Sequence, residues 1–235
     1  MFRYQTPLRD MQFVLHEMLG TSAAVAAMGR PVSWDRDTTD QAIDAVGRFA
    51  ESELVPLNAS GDEEGCRVED GAVRTPRGFA ESYRRFVDAG WPTLAYDEKF
   101  GGQGAPAILY SAMLEMLYAA NAGWTMYFGT ARGAYDCLNA HATPQQQAYY
   151  LPNVVSGKWT TTMCLTEAHC GSDLGLLRTR AIAQANGSFR ITGSKLFISG
   201  GDQDFTENIV HLVLARVKGA PPGVRGISLF VVPKH

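Results

Sequence analysis

Hydrophobic and polar positions along this chain change their period once, near Ser156. Before it, apolar residues recur at three-to-four spacing, the repeat of a helix with one buried face. In "TTDQAIDAVGRFAESELVPL", Ile43, Val46, Ala50 and Leu54 share such a face, with Thr39 or Asp40 as the candidate N-cap. In "TPRGFAESYRRFVDAGW", Phe79, Tyr83, Phe86 and Val87 line up, and Gly90 stops the helix. "APAILYSAMLEMLYAANAGWTMYFGTARGAYDCLNA" is apolar nearly all round, which predicts a long helical run buried in the fold or against a partner chain. "TPQQQAYYLPNVVSG" opens with Thr143 as cap, Pro144 at the first helical position and Gln146 to complete a capping box.

From Lys158 the texture is β-branched and aromatic. "KWTTTMCLT" reads as a strand. "LRTRAIAQ" and "SFRITGSKLFIS" flank Asn186-Gly187, a strong hairpin turn. "NIVHLVLARV" and "GISLFVV" follow as strands. The prediction is an α+β chain, a helical N-terminal domain followed by an antiparallel β domain. Two segments between the helices read as loops. "GDEEGCRVEDGAV" (61–73) is acidic. "DEKFGGQGAP" (97–106) holds Gly101, Gly102 and Gly104, either as a tight interhelical turn or as a ligand-facing loop.

Composition narrows the function classes. The 235 residues are 46% hydrophobic and 19% charged with net charge −3, enough for a real core. Lysines and arginines are scattered, which argues against a nucleic-acid surface. No window approaches the ~18 apolar residues of a membrane span, and the first residues hold no unbroken apolar signal segment. Cys66, Cys137, Cys164 and Cys170 form no CxxC pair, so neither zinc nor a disulfide framework is indicated, and a reducing cytoplasmic setting is expected.

Candidate chemistry concentrates in "TEAHCGSD", Thr166 to Asp173. A metal site is disfavoured, because the adjacent His169 and Cys170 would point apart on an extended backbone. Nucleophilic catalysis is disfavoured too. Ser172 lacks the G-x-S-x-G frame, and Cys170 has no evident base. Two readings stay open. One is a strand-end turn whose N–H groups cradle phosphate oxygens, with Gly171 admitting a ligand closely and Ser172 and Thr166 adding hydroxyls. The other is a plain β-turn with a capping Ser-Asp.

"MCLTEAHCGSDLGLLRTRA" resembles the signature of the acyl-CoA dehydrogenases: hydrophobic-Thr-Glu-Pro, then Gly-Ser-Asp, then Thr-x-Ala. "GSKLFISGG" resembles that family's second flavin segment, and "GWPTLAYDEKFGGQGAP" its Gly-Gly-x-Gly loop. "YQTPLRDMQFVLHEMLG" and "NIVHLVLARVKGAPPGVRGISLFVVPK" are similar to the longer branch, with enzymes like 3-methylmercaptopropionyl-CoA dehydrogenase. The resemblance implies an N-terminal extension at 1–36, a helical domain at 37–157 and an incomplete β-barrel-type middle domain at 158–235. The family's C-terminal helical bundle has no counterpart here, so the chain is expected to be the N-terminal part of a longer enzyme.

By the same resemblance the cofactor is FAD. Thr166 and the Leu165 backbone would bond the flavin ring, with Met163 against it, and Phe197 and Ile198 would pack on it. Ser199 would bond near N5, and Gly171 and Ser172 would meet the pyrophosphate, Ser172 also touching acyl-CoA. The implied reaction is α,β-dehydrogenation of an acyl-CoA to the trans-2-enoyl-CoA in fatty acid metabolism, with an electron-transfer flavoprotein as acceptor and a homodimer or homotetramer as assembly. The base, a glutamate of the bundle, matches no residue here, and Glu167 is expected to be structural. The 235-residue chain alone is therefore expected to lack turnover. Alternatives are a non-catalytic acyl-CoA- or partner-binding module, and an acyl-CoA oxidase. Three departures stand out: Ala168 in place of proline, Ser199 of threonine and Phe197 of tryptophan. "AAVAAMGR" and "LEMLYAANAGWTMYF" would border the acyl cleft, with Met113, Met116 and Met126 either lining it or plain core.

Overall fold

The computed structural model describes residues 4–28 and 34–235. Gly29 and Arg30 of "AAVAAMGR" lie outside them. α1 (Leu8–Gln12), a π-helical turn (Phe13–Met18) and α2 (Thr21–Ala27) come first. α3 (Arg36–Phe49) runs through a second π turn (Ala50–Leu54) into α4 (Val55–Glu64). The cap is Asp35, whose carboxylate accepts from Thr38 N–H at 2.8 Å. The expected caps sit inside the helix: Thr39 is buried, and Asp40 pairs with His16 at 2.7 Å. The first turn carries no apolar residue, so hydrophobic period alone placed the start too late.

The acidic 61–73 segment is not a plain loop: its first four residues are the end of α4. β1 (Arg67–Glu69) and β2 (Ala72–Arg74) form a small antiparallel hairpin. α5 (Phe79–Asp88) ends before Gly90 as expected. The long apolar run is three helices, not one: α6 (Ala107–Ala120), α7 (Ala122–Gly129) and α8 (Ala131–His141). Asn121 breaks it, in extended backbone, with its side chain accepting from Trp124 N–H at 2.9 Å and donating to the Leu54 carbonyl at 3.2 Å. α9 (Pro144–Val155) carries the predicted box, with Gln146 N–H on Thr143 Oγ1 at 3.2 Å and Thr143 N–H on Gln146 Oε1 at 2.9 Å.

The helices bury an aromatic centre. Phe86 meets Trp124 at 5.4 Å and Phe128 at 4.9 Å, both edge-on. Trp124 donates its indole N–H to the Phe79 carbonyl at 3.2 Å. Met113 and Met116 are fully buried here, as core, while Met126 is partly exposed. The 97–106 segment forms a tight turn. Backbone bonds from Gln103 to Thr93, Gly104 to Tyr96 and Ala105 to Leu94 fasten it, at 2.9–3.0 Å. A Cβ on Gly102 would fall 2.0 Å from the Tyr96 carbonyl oxygen.

The remaining strands form one five-stranded sheet: β3 (Trp159–Cys164), β4 (Arg180–Ala183), β5 (Phe189–Thr192), β6 (Asn208–Val217) and β7 (Ile227–Pro233). β4–β5 and β6–β7 are antiparallel as expected. β3 and β4, however, both pair with β6 in parallel. The sheet is therefore mixed. Strand direction follows from the long 165–207 connection, which alternation does not encode. Residues 193–199, read as the tail of a strand, leave the ladder: Phe197 has φ 57°, a left-handed backbone no strand accepts. The Thr130 hydroxyl donates to the Thr161 carbonyl of β3 at 2.6 Å, and Tyr83 on α5 donates to the Gly157 carbonyl in the turn before β3 at 3.0 Å. Among the described residues no helix is long and apolar enough to cross a membrane.

Candidate functional site

β3 delivers Met163, Leu165 and Thr166 to one end of the sheet. There the chain turns through Ala168 and His169, closed by two backbone bonds: Glu167 N–H to the Cys170 carbonyl at 2.8 Å, and Cys170 N–H to the Glu167 carbonyl at 3.1 Å. Cys170 is buried in this turn, while Ser172 beyond it is exposed. Asp173 accepts from Gly175 N–H at 3.0 Å, so a capping Ser-Asp turn is present as well.

The 193–199 segment comes back against this turn. Leu196 N–H donates to the Thr166 carbonyl at 3.0 Å. Lys195 Nζ donates to the Leu165 carbonyl at 3.1 Å and to Glu167 Oε1 at 3.0 Å. Gly193 lets the segment cross Thr179, whose hydroxyl oxygen a Cβ would meet at 2.3 Å. The stitching fastens Leu165 and Thr166 to the segment that carries Phe197, Ile198 and Ser199, with Met163 just before them on β3 and Gly171 and Ser172 following in the turn after Glu167.

Glu167 is the electrostatic centre of the stitch. It is 5% exposed. Oε1 accepts from Thr179 N–H (2.9 Å), the Thr179 hydroxyl (2.6 Å) and Lys195, and Oε2 from Arg178 N–H (2.8 Å). Burial alone would raise its pKa. The donors outweigh burial and hold the carboxyl at about 2. It is ionised and saturated, which makes it a fastener and a poor base. His211 on β6 accepts or donates a 2.7 Å bond with the Thr162 hydroxyl, and burial holds its pKa below the ordinary value.

The expectation that His169 and Cys170 point apart fails: Glu167, His169 and Cys170 offer ligand atoms within 4.8 Å of one another. The tight turn, unlike an extended backbone, brings both toward Glu167, with Cys170 buried and His169 exposed. The cluster is still a poor metal site, because the Glu167 oxygens are spent on the donors above and His169 Nε2 lies 3.0 Å from the Leu176 carbonyl. What faces outward is apolar and hydroxylic. Phe197 is 89% exposed, with Met163 and Leu196 each 40%. A Cβ on Gly171 would meet only Thr166, at an ordinary 3.6 Å, so this chain's own packing does not require the glycine. An exposed aromatic plate at Phe197, with exposed Ser172 and Ser199 in the two joined segments, suits a flat heteroaromatic ring carrying phosphates, so the residues fit a dinucleotide such as FAD.

Sequence reasoning gave Lys195 no role. Its signal was its place as the lysine of "GSKLFISGG", the segment that resembles the second flavin motif, where the sequence showed no partner for it.

Comparison with known proteins follows the same two parts. The model of the acyl-CoA dehydrogenase N-terminal domain matches residues 36–158, and that of the middle domain residues 162–235. The chain is 41% identical over 231 residues to a 3-methylmercaptopropionyl-CoA dehydrogenase of Ruegeria pomeroyi, across 98% of this chain and 39% of that protein. It is 38% identical over 237 residues to the broad-specificity linear acyl-CoA dehydrogenase FadE5 of Mycobacterium tuberculosis, across 100% of this chain and 38% of that protein. The chain thus spans about two fifths of the length of these relatives. An acyl-CoA dehydrogenase of Bacillus anthracis, solved with FAD, shares the fold at TM-score 0.66 and 19% identity, over 87% of this chain and 32% of that one.

Proposed function

The chain belongs to the acyl-CoA dehydrogenase family, and we propose that it forms the helical and middle domains of an FAD-dependent enzyme that converts an acyl-CoA thioester to the trans-2-enoyl-CoA. The domains in this reading are 37–157 and 158–235, with 1–36 as an extension. The observation that supports it is the stitch between Thr166 and Leu196, which ties the Thr166 segment to the one that carries the 89%-exposed Phe197.

In this reading the Thr166 hydroxyl and the Leu165 backbone hold the ring edge, Phe197, Ile198 and Met163 cover its faces, and Ser199 donates near its reactive nitrogen. Gly171 and Ser172 meet the phosphates, and Ser172 also the CoA portion. FAD, when bound, supplies the hydride acceptor. Preorganised donors around the thioester and the ring stabilise charge that grows during α-proton removal. Glu167 does not take that proton, since its lone pairs are occupied and its pKa is about 2. We place the base in a part of the whole enzyme beyond these two domains, so the 235 residues alone are expected not to turn over. An electron-transfer flavoprotein as acceptor, a homodimer or homotetramer and a cytoplasmic setting complete the reading.

The test is the visible spectrum of the full-length protein, followed by anaerobic titration with acyl-CoA thioesters. A flavin spectrum bleached by one of them supports the reading, and a colourless protein that takes up no FAD overturns it. Peroxide released in air would mark an oxidase in place of a dehydrogenase.

A further inference from the structure

The Lys195 and Glu167 side chains are 11% and 4% exposed. A buried ion pair adds little net stability compared with an apolar pair of equal volume, although removing one partner is costly. Its position is therefore informative. The ammonium bonds the Leu165 carbonyl and the Glu167 carboxylate at once, at 3.1 and 3.0 Å. Leu165 and Thr166 belong to one proposed flavin segment, and Lys195 opens the other. Two residues on, Phe197 holds φ 57° while 89% exposed. A left-handed non-glycine backbone persists only where its surroundings hold it. So exposed a ring receives little support from its own packing. The hold lies just upstream, in Leu196 N–H on Thr166 and in the Lys195 bridge.

We propose that Lys195 is a positioning residue, which with Glu167 fixes one flavin segment against the other and keeps Phe197 in its left-handed conformation. This rests on the reading that these segments hold FAD. Lys195 faces the Leu165 backbone and Glu167, while Phe197, Ser199 and Ser172 are the exposed groups, so its effect on the cofactor is indirect.

The experiment uses the full-length protein, with FAD affinity measured by fluorescence quenching, visible circular dichroism of the bound flavin, and melting temperature. Lys195→Met is expected to weaken FAD binding about tenfold to a hundredfold, the worth of a lost charged hydrogen bond, and to alter the flavin dichroism. Lys195→Arg, which keeps the cation, is expected to restore most of both. The double variant Lys195→Met with Glu167→Gln leaves no lone buried charge and is expected to regain melting temperature but not affinity. Wild-type affinity and dichroism in Lys195→Met, or in the double variant should the single one fail to fold, would overturn the proposal. A wild-type protein that binds no FAD is a separate result, and it removes the underlying reading before any variant is compared.

Discussion

The helical core and the stitched turn are each held by buried groups, yet by opposite physics. Around Trp124 and Phe86 the chain removes large apolar surfaces from water, and nearly every contact is replaceable by another of similar volume. Around Glu167 it buries a charge, surrounds it with donors, and leaves large apolar side chains on the outside. The first arrangement makes a fold. The second gains little net stability from its ion pair and instead specifies a geometry. The helical core reaches the β part through apolar contacts such as Tyr83 on Phe205 and directed bonds such as Thr130 to Thr161, while the stitch is closed by bonds of its own around Glu167, so the two can be perturbed separately.

That separation has measurable consequences. Trp124→Ala should cost about 3–5 kcal/mol by cavity formation and loss of its aromatic contacts, visible as a large drop in melting temperature. At temperatures where the variant is folded, its FAD affinity should match wild type; a parallel loss of affinity would mean the regions are coupled. Acid should act on the other region. Glu167 has its carboxyl lowered from the ordinary 4.5 to about 2. A lowered carboxylate stabilises the fold above its unfolded pKa. About 3 kcal/mol should therefore be lost as pH falls from 4.5 toward 2. Denaturant midpoints across that window should fall more steeply for wild type than for Glu167→Gln, and parallel slopes would refute the assignment.

Smaller effects distinguish fold from geometry more finely. Thr143→Ala removes one side of the α9 capping box and should cost about 1 kcal/mol in chemical denaturation, without moving the flavin spectrum. Phe197→Gly should do the reverse. Relief of the left-handed backbone should leave the apo-protein unharmed or more stable by up to ~1 kcal/mol, while FAD binding weakens. Stability lost together with affinity would show Phe197 to be ordinary core, against its exposure.

The capping box of α9 was readable residue by residue, because Thr143, Pro144 and Gln146 act on neighbours three positions away. The start of α3 was misplaced for the converse reason, since Asp35 caps a turn with no apolar marker. The long apolar run hid two breaks, at Asn121 and Thr130, because burial on all sides erases the periodicity that shows where a helix ends.

Local order in the chain was enough for the helix-to-strand change near Ser156, the hairpin at Asn186-Gly187 and the motifs that resemble flavin segments, since each depends on residues close in sequence. Tertiary structure alone decided the parallel pairing of β3 and β4 with β6, the approach of His169 and Cys170 to Glu167, and the meeting of Lys195 with Glu167 across 28 positions. Those outcomes depend on where a long connection returns, and on which donors then find a buried carboxylate. Both are set by the packed whole, and no pattern within a window of a few residues encodes them.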